Sequence, residues 1–188
     1  MKKKIFLTAI LIVVTIVSGF FYSYVKRSQA IYNTDYTRSQ MVPEIRISEE
    51  NRVHIGFTCR YDNLKQVEII LSTTSSSPKD YTLDYELCDS DGNKYEGGSI
   101  RFDKFKNGKF TTLKFDKIKN SRNKEFTLVL TTDAGDVDAA YVAVTPDMEN
   151  VALKYTYIVW DLQTMIIYVL FIAYLAGFIA ILGKLFRK

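Results

Sequence analysis

Residues 81–102 read YTLDYELCDSDGNKYEGGSIRF. Leu83, Tyr85 and Leu87 recur at every second position, with Asp84, Glu86 and Cys88 between them. A period of two belongs to a strand with one buried and one solvated face. Asp89-Ser90-Asp91-Gly92-Asn93 follows as a hairpin turn, Gly92 supplying the positive φ that such turns need. A second extended run covers 94–102. The same pattern repeats on both sides. In 52–60, Val53, Ile55, Phe57 and Cys59 share one face and Arg52, His54, Thr58 and Arg60 the other; in 125–132, Phe126, Leu128 and Leu130 alternate with Thr127, Val129 and Thr131. Further runs lie at 44–48, 65–74, 110–118 and 140–145. Turn chemistry separates them at 75–78, Asn107-Gly108, 119–123 and 133–136. About eight short strands with no helical period between them predict an all-β antiparallel sandwich over 43–147.

The ends of the chain are different in kind. Residues 5–25 and 162–183 carry no charge, and about 20 apolar residues span a bilayer core of roughly 30 Å. Both are read as transmembrane helices. Ser28-Gln29-Ala30 offers a signal-peptidase-like site, but the first run exceeds the ~7–15 apolar residues of a signal sequence, which favours an uncleaved anchor. Lys2, Lys3 and Lys4 precede the first helix, and Lys184, Arg187 and Lys188 follow the second. The positive-inside rule then places both termini in the cytoplasm. Tyr22, Tyr24, Tyr155, Tyr157 and Trp160 form interfacial belts at the outer ends. The expected order is a cytoplasmic tail 1–4, helix 5–25, linker 26–42, external sandwich 43–147, membrane-proximal linker 148–161, helix 162–183 and cytoplasmic tail 184–188.

Composition agrees. With 9 Gly and 3 Pro the chain is neither collagen-like nor disordered, and 13 Tyr and 12 Phe suit β structure. Six of the 25 basic residues lie in the tails, so the segment between the helices holds 19 against 21 acids, a net charge of −2. The pI of about 8.9 therefore reports the cytoplasmic ends and not a nucleic-acid partner.

The stretch Phe57-Thr-Cys-Arg-Tyr-Asp-Asn-Leu-Lys-Gln-Val-Glu-Ile-Ile-Leu, with Leu83-x-Tyr-x-Leu-Cys-Asp-x-Asp-Gly, Phe115-x-x-Ile-x-x-Ser121 and Phe126-x-Leu-x-Leu, resembles a pattern in bacterial envelope proteins. It is similar to the external domain of multi-spanning glycosyltransferase- and polymerase-type proteins of surface-polysaccharide synthesis, over about residues 52–145. The resemblance implies a jelly-roll-like fold. The family's further membrane helices have no counterpart here and no catalytic motif carries across, so it does not imply a transferase.

Tyr61-Asp62-Asn63 is the most sugar-like cluster, with a ring to stack on a pyranose and a carboxylate and an amide for adjacent hydroxyls. Tyr95 could extend that surface. The plain alternative is a turn in which Asp62 and Asn63 cap the backbone. Small residues at helical spacing, Thr15 and Gly19 in the first helix and Ala173, Ala176, Gly177 and Ala180 in the second, suit close helix packing. Asp89-x-Asp91-Gly92-Asn93 lacks the Gly and Glu positions of a calcium loop and reads as a turn. Asp133, Asp136 and Asp138 share one loop that is solvated or holds a structural cation. Cys59 and Cys88 fall on opposite strand faces and are expected unbridged. His54 is the one histidine and has no Ser or Cys signature to act with. No metal and no cofactor is expected.

These features predict a non-enzymatic accessory protein of surface-glycan assembly, its sandwich binding carbohydrate or a partner and its helices docking a multi-spanning membrane protein or a second copy. The competing expectations are a polysaccharide chain-length regulator, whose external domain would be helical, and an extracytoplasmic enzyme, which would need a catalytic constellation.

Overall fold

A computed structural model describes residues 2–106 and 108–186. Asn107 of the expected Asn107-Gly108 turn and Arg187 and Lys188 of the basic tail lie outside the described residues. Two units are distinguished, Arg27–Ile158 and the paired ends Met1–Lys26 with Val159–Lys188.

Among the described residues ten strands form: β1 (Tyr24–Ala30), β2 (Val42–Ile47), β3 (Val53–Cys59), β4 (Leu64–Thr73), β5 (Thr82–Asp89), β6 (Lys94–Arg101), β7 (Phe110–Ile118), β8 (Lys124–Thr132), β9 (Ala140–Val144) and β10 (Leu153–Trp160). One sheet has the order β1-β10-β4-β9-β2, with β7 on the other edge of β4; the second is β3-β8-β5-β6. The pairs β5–β6, β4–β7, β3–β8 and β2–β9 are antiparallel and nest outward from the turn at 90–93. The strands β2–β9 are one long hairpin ribbon, folded over so that its layers fall in two sheets. That winding is a jelly roll.

The eight strands expected from alternation are β2–β9. Two more, β1 and β10, occupy segments read as linkers, 26–42 and 148–161. Leu153–Tyr157 pairs with Leu64–Ile69 of β4, below the point where β9 takes over at Leu71–Thr73. The ten-residue β4 thus outruns its neighbour β9, and β10 satisfies the backbone groups left along its edge. The first helix, α1 (Lys2–Tyr22), also stops earlier than expected, since Tyr24 and Val25 belong to β1.

Alternation is realised as burial. Val53, Ile55, Phe57 and Cys59 are buried while His54, Gly56 and Thr58 are exposed; Leu83, Tyr85, Leu87, Phe126, Leu128 and Leu130 complete the facing layer. Tyr85 fits because position 98 is glycine: a Cβ there would stand 2.7 Å from the tyrosine oxygen, which donates to Lys114 O at 3.2 Å.

A smaller core lies on the outer side of the first sheet. Ile70, Ala143 and Ala152 are buried there under Met41 and Phe110. Tyr32 stacks on Phe110 with centroids 6.1 Å apart, while Arg38 and Lys154 place their cations 5.5 and 4.4 Å from that ring. Lys154 also pairs with Glu68 at 2.6 Å. The supposed linker is therefore a cover over the first sheet.

In the helical unit, α2 (Leu162–Leu185), with a mean hydropathy of 2.7, is long and apolar enough to cross a membrane; α1 contributes the shorter apolar stretch Thr8–Tyr22. Asp161 caps α2, accepting from Gln163 N at 3.2 Å and Thr164 Oγ1 at 2.8 Å. Tyr168 donates to Ser18 Oγ at 3.0 Å, and Gly19 leaves room for its ring, since a Cβ there would lie 3.1 Å from Cδ1. Thr15, Ala173 and Ala176 line an apolar groove between the helices. A Cβ at Gly177 would meet nothing within 4 Å, and Ala180 is exposed.

Candidate functional site

The loops 60–63, 90–93 and 119–123 gather at one end of the sandwich, because β3, β5 and β7 finish there and β4, β6 and β8 begin there. Tyr61, Asp62 and Asn63 lie in the first loop, and the fold engages all three. The Tyr61 ring lies on Tyr157 with centroids 4.1 Å apart and planes 8° from parallel. Asp62 pairs with Arg122 Nε at 3.2 Å and accepts from Arg122 N at 3.2 Å. Asn63 takes the left-handed conformation, φ 65°, and donates through Nδ2 to Ile158 O at 3.0 Å. Ser121, fully buried, donates to Tyr61 O at 2.8 Å and accepts from Leu64 N at 3.1 Å. Burial pushes the Tyr157 hydroxyl up, with Tyr61 adding to the shift.

Tyr95 sits apart from that cluster, across the 119–124 segment. Its ring is 42% exposed and leans on Phe126 at 5.5 Å. Lys124 meets it at the hydroxyl end, Nζ 3.4 Å from the oxygen and 5.9 Å from the centroid. Buttressed in this way, the ring keeps its orientation while remaining accessible. The turn beside it is equally fixed. Asp89 Oδ1 accepts from Asp91 N at 3.0 Å and Asn93 N at 2.8 Å, and Oδ2 from Asn93 Nδ2 at 3.1 Å. The Asn93 hydrogen bonds hold the Asp89 carboxyl below its ordinary value. Gly92 closes the turn at φ 82°.

A groove of about 420 Å³ opens between this turn and the start of β8, lined by Tyr95, Asp91, Asn123 and Lys124. Through Ser90 and Glu125 it continues into a depression of about 350 Å³ over Gly56, Thr58 and Thr127 on the outer face of β3 and β8. Among the described residues, the side chains of Ser90, Asp91, Asn123, Glu125, Thr58 and Thr127 make no hydrogen bond or ion pair within the protein. Hydroxyls and an amide can both donate and accept, and carboxylates accept. An exposed ring beside such groups offers what a sugar needs, a flat apolar surface and convergent hydrogen-bonding partners.

The other expected features resolve as follows. Asp133 accepts from Thr82 N at 3.2 Å and Asp138 from the Tyr81 hydroxyl at 3.3 Å; the Asp136 side chain lies outside the described residues. No grouping of His, Cys, Asp and Glu suited to a metal occurs among the described residues. Cys59 and Cys88 are both free and buried, and burial pushes both thiols up. His54 is exposed in β3 opposite Val129. Ser90, Asn123, Glu125, Thr58 and Thr127 were not singled out by sequence reasoning. The usable signal was register: Thr58 and Glu125 pair across β3–β8, as do Gly56 and Thr127, so these positions share the solvated face.

No family model and no curated protein matches the chain. Among solved structures it is similar to the carbohydrate-binding module TmCBM61 in complex with β-1,4-galactotriose, with 7% identity over 58% of this chain and 62% of that one and a TM-score of 0.35. It is also similar to the module CBM36 in complex with calcium and xylotriose, with 9% identity over 70% and 98% of the two chains and a TM-score of 0.35. The VP2 subviral particle of infectious bursal disease virus follows, with 13% identity over 71% and 34% and a TM-score of 0.24. The chain thus spans under two thirds of the first of these, and at such scores its function is read from its own residues.

Proposed function

We propose that this chain is a non-enzymatic, membrane-anchored accessory protein of bacterial surface-glycan assembly, whose sandwich binds carbohydrate through the Tyr95 groove. One observation carries the reading: an exposed aromatic ring stands beside six polar side chains that have no hydrogen-bond or ion-pair partner among the described residues. A pyranose lies on the Tyr95 ring. Its hydroxyls donate to Asp91 and Glu125 and exchange hydrogen bonds with Asn123 and Ser90. A sugar covering about 75 Å² of ring gains about 2 kcal/mol at 25 cal/mol/Å². A charged acceptor adds about 1.5–3 kcal/mol, so the groove reaches the millimolar range, about −4 kcal/mol, with few contacts.

In this reading α2 crosses the bilayer and the shorter apolar α1 crosses beside it, with the termini cytoplasmic and the sandwich outside. Basic flanks support the orientation, and the uncharged residues 5–22 of α1 rise about 27 Å, a little under the hydrocarbon thickness. Gly177 and Ala180 give a multi-spanning partner a close approach to α2.

The test is affinity electrophoresis of the full chain in detergent micelles against soluble polysaccharides. Tyr95→Ala is expected to lose at least tenfold in retention while keeping its circular dichroism spectrum. Unchanged retention would sink the reading. For topology, a membrane-impermeant thiol reagent applied to intact cells should label Ser76→Cys and not Lys188→Cys; the reverse pattern refutes the orientation.

A further inference from the structure

Resting on that reading, we infer that the groove selects glycans without acidic groups. Its charges are unbalanced. Asp89, Asp91 and Glu125 place three carboxylates along it against the single ammonium of Lys124. Lys124 is itself held at Tyr95, its Nζ lying 3.4 Å from the hydroxyl. Asp89 is anchored by three hydrogen bonds of its own turn, so its charge stays where the fold puts it. Further along the same sheet Glu86 is paired with Lys94 at 2.5 Å, while Asp84, which accepts from the neutral Ser99 hydroxyl, keeps its charge. The groove lining itself thus carries an excess of negative charge.

The polar groups left open decide the ligand's chemistry. Asp91 and Glu125 can only accept, so they need donors from the ligand. Sugar hydroxyls donate. A uronate or sulfate group brings only further acceptors and like charge, and a carboxylate beside Glu125 would be repelled. The depression over Gly56 lengthens the site without adding charge, since a Cβ at Gly56 would meet nothing within 4 Å and Thr58 and Thr127 are neutral. The occupant is an extended neutral chain, with one ring on Tyr95 and the next units over Gly56. Repulsion between partly exposed charges is screened by salt, which gives the selectivity a signature that shape does not have.

The experiment compares soluble neutral glucans and galactans with their 6-carboxyl derivatives, made by selective oxidation, which keep the backbone and add the charge. The full chain in detergent micelles is run through each by affinity electrophoresis at low and high salt. The expected result is retention by a neutral polysaccharide, at least tenfold weaker retention by its carboxylated form at low salt, and a narrower gap at high salt. In Asp91→Asn/Glu125→Gln the ratio between the two forms should fall towards one. Equal or stronger retention by the carboxylated form overturns this inference and leaves the Tyr95 groove standing, provided that retention is lost in Tyr95→Ala. Discrimination that persists in the double variant overturns the assignment to Asp91 and Glu125. Retention by none of the polysaccharides overturns the carbohydrate reading and this inference with it.

Discussion

Tyr61→Ala separates a residue that builds the site's frame from one that touches ligand. The Tyr61 ring lies nearly parallel to Tyr157 at 4.1 Å, so one face is covered by protein. Covering one face of a tyrosine removes about 75–100 Å² from water, about 2–2.5 kcal/mol at 25 cal/mol/Å². The aromatic pair adds about 0.5–1.5 kcal/mol. Its backbone carbonyl remains, so the Ser121 and Cys59 hydrogen bonds to it survive the truncation. The expected loss is therefore about 2.5–4 kcal/mol. For a domain of this size 1 kcal/mol moves the Tm by about 3–5 °C, which predicts a fall of roughly 8–20 °C. The assay is thermal unfolding of the full chain, followed by near-ultraviolet circular dichroism, beside polysaccharide retention at a temperature where the variant is folded. Retention should hold. A Tm within about 2 °C of the parent together with lost retention would refute the reasoning and return the ligand to Tyr61.

Ser121→Ala leaves the buried Leu64 N–H without its partner, and a loss of about 1–3 kcal/mol is expected in chemical denaturation. The Asp89 carboxyl is held below its ordinary value, so its stabilising share is present above the unfolded value of 3.8 and is lost as pH falls through the folded one. Asp89→Asn should flatten the acid limb of the Tm profile below about pH 4; an unchanged limb would contradict the turn's role. In the helical unit, Gly19→Leu should push Tyr168 away and weaken cross-linking between Thr15→Cys and Ala173→Cys, whereas Gly177→Leu should leave that cross-link intact. Loss of the cross-link in both would show that the two glycines do not have distinct neighbours.

Alternation made β3, β5 and β8 legible, because each buries one face and solvates the other, and Val53 to Cys59 follow that rule residue by residue. It failed at β1 and β10 for physical reasons. The residues YVKRSQA of β1 have no apolar period, since an edge strand of that composition is held by its ladder and not by a buried face. In β10, Tyr155, Thr156 and Tyr157 are all buried, so the period of two disappears. The same residues also look like an interfacial belt ahead of an apolar helix. The sugar-like triplet was visible as chemistry, but what consumes that chemistry is remote: Arg122, Tyr157 and Ile158 are distant in sequence. Tyr95 was legible only as an aromatic at a strand start. Its partners Lys124 and Phe126 come from β8, which the ribbon brings alongside β5.

The location of the groove follows from how the ribbon's ends are used. Two sheets give two outer faces, and either could bind. Residues 31–41 cross the first sheet, where Tyr32, Arg38 and Met41 close over Phe110 and Ile70. They can do so because β4, Phe110 and Ala143 make that face apolar enough to need a cover. The second sheet presents Thr58, Thr127 and Gly56 outward, with Val129 beside them, a mostly polar face that leaves little for a cover to bury. Only at its edge, where the turn after β5 raises Tyr95 against Phe126, does an aromatic surface stand open. The face the fold has little reason to cover is the one whose polar groups stay open to solvent.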